Sequence, residues 1–171
     1  MTQKIQVINT VHPDYQLPGP PNTGLFIAST RLSTDCKEGE APTVDLTYQS
    51  GIFTQLLPVT GPIEKRDIQD PPGFLIVRAA GAGAYEFRNI AIDATQKPLR
   101  SGIPFIVEKG QAVYLGEIHV SYLDCYGQPS IGLQVRDAWE RDQHLIEKKL
   151  KNVRSEDVLK RVLPPGPPRS P

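Results

Sequence analysis

The 171 residues, 39% of them apolar, suffice for one domain with a real core and are short for two. Lys plus Arg (19) balances Asp plus Glu (19), so no whole-chain field gathers nucleic acid or an anionic membrane. No apolar run approaches the roughly 20 residues of a membrane span, and 17 Pro with 14 Gly favour many short elements over long helices.

Residues 1–22 hold a short β-like run at Ile5 and Val7, then His12-Pro13 and Leu17-Pro18-Gly19-Pro20-Pro21. Proline removes backbone donors and fixes φ, so this segment reads as a flexible, loosely attached N-terminal arm. Residues 24–32 form the first strand, ended by the polar and glycine-containing stretch 33–42. In the next strand Val44, Leu46 and Tyr48 alternate with Asp45, Thr47 and Gln49, the period of a strand buried on one face. A weaker run over 52–57 leads into a loop over 58–73 that carries Pro62, Pro71 and Pro72.

Residues 74–78 and 85–92 are strands, and Tyr85 and Phe87 share one face of the second while Glu86 and Arg88 share the other. The small residues of 79–84 between them predict a hairpin. Gly81-Ala82-Gly83 resembles a phosphate-binding loop only superficially, because that motif needs a helix N-terminus and a strand pattern follows here. Residues 103–108 then reach Lys109-Gly110, a predicted tight turn into the longest strand, 111–122. There Tyr114, Gly116, Ile118, Val120 and Tyr122 alternate with Val113, Leu115, Glu117, His119 and Ser121, a pattern central at its start and half-exposed later. Ile131, Leu133 and Val135 make a final strand. About seven to eight short strands bounded by turn residues predict a mainly β fold, an Ig-like antiparallel β-sandwich over 23–137.

The period changes at Asp137, which reads as an N-cap with Glu140 three places on; Trp139, Ile146, Leu150 and Val153 then recur at helical spacing. Ser155 is expected to cap a second short helix with Val158, Leu159 and Val162 facing inward. The chain is thus read as C-terminal helices over 138–163 packed on the sandwich, then a proline-rich tail over 164–171.

Candidates for chemistry are few. Glu117 and His119 lie two apart on one strand, so they share a face and could supply two metal ligands. Zinc needs three or four, and the sequence places neither His12 nor His144 to complete a site, so a solvated strand face with no metal and no cofactor is the expectation. No serine sits in a Gly-x-Ser-x-Gly turn. Cys36 and Cys125 are too isolated for a CxxC site and too few for a disulfide framework. Two unpaired thiols are expected, with one disulfide in an oxidising compartment as the alternative. The helix charges from Glu140 to Lys151 have mixed signs, which reads as a solvated face or a modest basic patch.

Three stretches recur together: Thr23-Gly24-Leu25-Phe26-Ile27-Ala28-Ser29-Thr30; Phe74-Leu75-Ile76-Val77 with Gly83-Ala84-Tyr85-Glu86-Phe87; and the run from Phe105 to Ile118 containing Tyr114-Leu115-Gly116. Over residues 23–163 the chain resembles a group of bacterial proteins, often predicted lipoproteins or periplasmic proteins, with a transthyretin-like or carboxypeptidase-regulatory-like sandwich. The resemblance implies a periplasmic or cell-envelope location and architectural roles for glycines such as Gly110 and Gly116. Met1-Thr2-Gln3-Lys4 does not open an apolar leader, so a leader removed ahead of it is expected, with a cytoplasmic relative as the alternative. The expected function is a non-enzymatic envelope binding or structural module that engages a protein partner or envelope polymer through exposed strand edges or the loops at one end. The alternatives are a subunit of a larger secretion or surface assembly docking through its termini, and a metal-dependent hydrolase using Glu117 and His119.

Overall fold

Strands that are apolar on both faces need cover on both sides, and β1 (Thr23–Thr34) and β8 (Ala112–Leu123) have it. The computed structural model describes residues 10–92 and 99–164; the run at Ile5 and Val7 and the tail beyond Pro164 lie outside the described residues. β1 runs parallel to β8 and antiparallel to β5 (Pro72–Gly81), whose far edge carries the short β4 (Ile68–Gln69). β9 (Ser130–Arg136) pairs antiparallel with the second half of β8, and β10 (Val158–Lys160) pairs parallel with its start. The second sheet is antiparallel in the order β3 (Phe53–Pro58), β2 (Val44–Ser50), β6 (Gly83–Ile92) and β7 (Leu99–Val107).

The sheets stack as a sandwich, and Val44, Leu46 and Tyr48 enter the core between them as their alternation requires. Phe105 anchors that core, its ring centroid 4.4 Å from Phe87 and 5.2 Å from Phe26. A second apolar layer covers the outer face of the larger sheet. Helix α1 (Trp139–Lys149) and the residues after it lay Ile146, Leu150 and Val153 against Leu25, Ile27, Leu75, Val77 and Tyr114.

The corners differ from the sequence expectation. Residues 79–84 do not make a hairpin: β5 and β6 belong to different sheets, and the chain crosses between them at Ala82 with Gly83 at φ 149°. Small side chains let a strand change layers with almost no loop. β7 and β8 are likewise split between sheets, although Lys109-Gly110 does turn tightly, with Gly110 at φ 71°. The larger sheet is mixed rather than antiparallel, because a crossover through the other sheet separates β1 from β8 and returns the chain in the same direction.

The second helix expected from Ser155 is a single 3-10 turn, Ser155–Asp157, followed by β10. β9 pairs with only the later part of β8, and Val158-Leu159-Lys160 satisfies the open edge left at its start. Asp137 does act at the start of α1, accepting the Trp139 N–H at 3.1 Å, although Ala138 is the capping residue. The described part of the expected arm, residues 10–22, is fastened rather than loose. Val11 donates to the Val77 carbonyl at 2.8 Å, Lys151 donates to that of Pro13 at 2.9 Å, and Tyr15 and Leu17 pack on the second apolar layer.

Gly116 sits where two elements crowd β8. Its φ is 109°, and an added Cβ would stand 2.9 Å from the Arg136 carbonyl oxygen and 3.2 Å from methyls of Val135 and Val162. The variant Gly116→Ala will therefore lose about 2 kcal/mol or more from strain and overlap. A urea midpoint within experimental error of the parent would refute that.

Candidate functional site

Between Tyr114 and Glu117, β8 holds one residue more than β1: Ile27 pairs with Tyr114, and Ser29 pairs with Glu117. This bulge changes which residues face α1, so Tyr114, Glu117 and His119 all line the sheet surface beneath it. From β1 come Ser29, Arg31 and Ser33, and from α1 come Arg141 and Asp142. Glu117 and His119 do share a face, but it is not the expected solvated one, since they are only 2% and 4% exposed.

Charge and hydrogen bonding are closely matched within this cluster. Glu117 Oε1 takes Arg141 at 2.6 Å and Arg31 at 3.3 Å, while Oε2 faces His119 Nδ1 at 3.2 Å. Burial pushes the Glu117 carboxyl up, but the hydrogen bonds from His119 and Arg141 and the charges of Arg141 and Arg31 outweigh it and hold it at about 2. Asp142 Oδ2 accepts from Ser29 at 2.6 Å and Tyr114 at 2.7 Å, and its Oδ1 accepts from Arg141 Nε at 2.8 Å. Burial, with the neighbouring Asp142 charge, pushes the Tyr114 phenol well above its ordinary range. Arg31 also donates to the Pro71 carbonyl at 3.1 Å and the Asp70 carbonyl at 2.6 Å.

The same cluster contains a serine, an imidazole and a carboxylate in series, because His119 Nε2 lies 2.7 Å from Ser33 Oγ. That is the connectivity of an activated nucleophile. Neither Ser33 nor His119 lines any of the clefts described below, and both Glu117 oxygens are already engaged. For a metal, no group of three His, Cys, Asp or Glu side chains forms among the described residues. His144 is exposed on α1, and His12 lies beside Asp14 on the arm.

Cys36 and Cys125, expected as free thiols, are joined in a disulfide that spans 89 residues of sequence. Thr34 at the end of β1 pairs with Tyr122 near the end of β8, so the two segments leave the sheet side by side. Asp35 reinforces the junction by accepting the Asp124 and Cys125 N–H groups at 3.0 Å each. Tyr126 ties the same segments again, donating to Glu40 and accepting the Lys37 N–H at 2.9 Å.

This junction forms one wall of a cleft of about 460 Å³ at the end of the sandwich. Leu32, Val59 and Phe74 lie in its apolar lining, Ala41 and Pro42 belong to the disulfide-anchored segment, and Arg66 adds a guanidinium. Gly61 stands behind Phe74, where an added Cβ would come within 2.8 Å of the ring. A shallower groove near His12 carries Lys148, Lys149 and Lys151. Its basic character is reduced by ion pairs of Lys149 with Asp67 at 2.7 Å and Lys151 with Asp14 at 3.3 Å.

No helix among the described residues is long and apolar enough to cross a membrane. No family model, curated protein or solved structure matches the chain.

Proposed function

We propose that this chain is a non-enzymatic binding module of the cell envelope, built on a transthyretin-like sandwich and engaging its ligand at the loop end. The observation that carries the reading is the apolar cleft lined by Leu32, Val59 and Phe74 beside the Cys36–Cys125 bond. Concave, mostly apolar sites with a few polar groups are the usual form of a ligand pocket. A disulfide persists outside the reducing cytosol, which supports an envelope or periplasmic location. The buried charge cluster fits a fastener that holds α1 on the sheet, since its members satisfy one another rather than facing an opening.

A neutral, environment-sensitive apolar dye tests the cleft. Saturable one-to-one binding by the oxidised protein, lost in Ala41→Trp with the melting temperature unchanged, is the expected result. Absence of saturable binding would remove the cleft as a ligand site. Hydrolysis, using Glu117 and His119 with Ser33 or a metal, is the second reading, favoured by the series contact of these three side chains. Turnover of simple ester substrates that disappears in His119→Ala would make it the better one.

A further inference from the structure

Arg66 lines the end cleft with its Nε shielded from solvent and without a hydrogen-bond partner, and its side chain makes no ion pair among the described residues. Arg31 and Arg141 behave differently: Arg31 donates to Glu117 and two carbonyls, and Arg141 donates to Glu117, Asp142 and the Ser29 hydroxyl. A guanidinium donor shielded from water is costly while it has no acceptor. Among the charged residues lining the cleft, Lys37 offsets Glu38, so Arg66 leaves the site with an excess of one positive charge.

Resting on the binding-module reading, we infer that the end cleft takes a small amphiphilic carboxylate, its carboxyl group on Arg66 and its apolar body against Leu32, Val59 and Phe74. The planar guanidinium fork suits a carboxylate, which can accept two parallel N–H bonds. The volume of about 460 Å³ is in the range that holds a compact small molecule and is too small for a folded partner. The apolar lining supplies affinity in proportion to buried carbon, and the Arg66 guanidinium selects the head group.

Titration calorimetry on the oxidised 171-residue chain tests this with straight-chain alkyl carboxylates of increasing length, below their micelle concentrations, and with the alcohol of each length. Affinity for the carboxylates should rise about fourfold per added CH₂ until the cleft is filled. Each alcohol should bind at least tenfold more weakly than its carboxylate. In Arg66→Gln this preference should vanish while alcohol affinity stays the same, and Arg66→Lys should restore part of it. Equal affinity for acid and alcohol in the parent protein would overturn the inference without any variant. So would binding of an apolar tripeptide through a free C-terminus with no alkyl carboxylate bound. If the neutral dye binds and the carboxylates do not, the cleft stands and the ligand class falls; if neither binds, both fall.

Discussion

The variant Glu117→Gln is expected to lose about 3 kcal/mol of stability at neutral pH and to match the parent near pH 2. The carboxylate is 2% exposed and is the shared acceptor of Arg31, Arg141 and His119. Removing its charge leaves two guanidinium groups facing a neutral amide, and breaking a buried pair in this way costs about 3–5 kcal/mol. Arg141 is 32% exposed and can recover some water, which puts the expectation at the lower end.

Proton linkage reaches the same magnitude by another route. The folded carboxyl sits at about 2, below its ordinary 4.5, so the folded state binds the proton less well than the unfolded chain does. The stabilisation is therefore fully present above the unfolded value and is lost as pH falls from 4.5 towards 2. That gap is worth about 3 kcal/mol. Urea melts of both proteins at several pH values should show two curves that converge on acidification. A gap independent of pH would mean that the amide disturbs packing and that the charge is not what matters.

Loss of the Cys36–Cys125 bond should have the largest effect of any covalent change. Closing 89 residues into a loop removes about 4.6 kcal/mol of unfolded-state entropy in the chain-entropy account. For a chain of this size the paired Cys36→Ser, Cys125→Ser variant should melt roughly 10–20 °C lower. It should also bind the neutral dye more weakly, because residues 37–43 of the cleft wall would lose their covalent anchor and keep only non-covalent ties such as those of Asp35, Tyr126 and Ala41. Reactive thiols in the untreated protein, detected by alkylation and intact mass, would contradict the bond itself. An unchanged melting temperature would contradict its energetic role.

Local pattern was legible and long-range pairing was not. Val44, Leu46 and Tyr48 announce their strand by alternation, and Ile146, Leu150 and Val153 announce the docking face by spacing. Both are properties of neighbouring residues. The union of Cys36 with Cys125 depends on Thr34 meeting Tyr122 in the parallel β1–β8 pairing of the larger sheet, which no spacing reports. The split of β5 and β6 between layers is hidden for the same reason: a run of small residues fits a hairpin and a corner equally.

The charge cluster was half visible. Glu117 and His119 stood out as a pair, but the residues that bury and satisfy them arrive from β1 and α1. One signal was available in the helix. Asp142 precedes Ile146 by four residues and so occupies the inward stripe, which is unusual for a carboxylate and marks a buried partner such as Tyr114 or Ser29.

The extra residue at the β8 bulge works like a change of reading frame in a two-letter code. Upstream of it, odd positions such as Val113 and Leu115 enter the inter-sheet core; downstream, even positions such as Ile118 and Val120 do. Excising that residue would leave every later side chain chemically intact yet give it the opposite address. Glu117 and His119 would be assigned to the oily interior, and Ile118 and Val120 to the layer under α1. For this strand, a one-residue deletion is a more drastic edit than most substitutions, because it exchanges two surfaces at once.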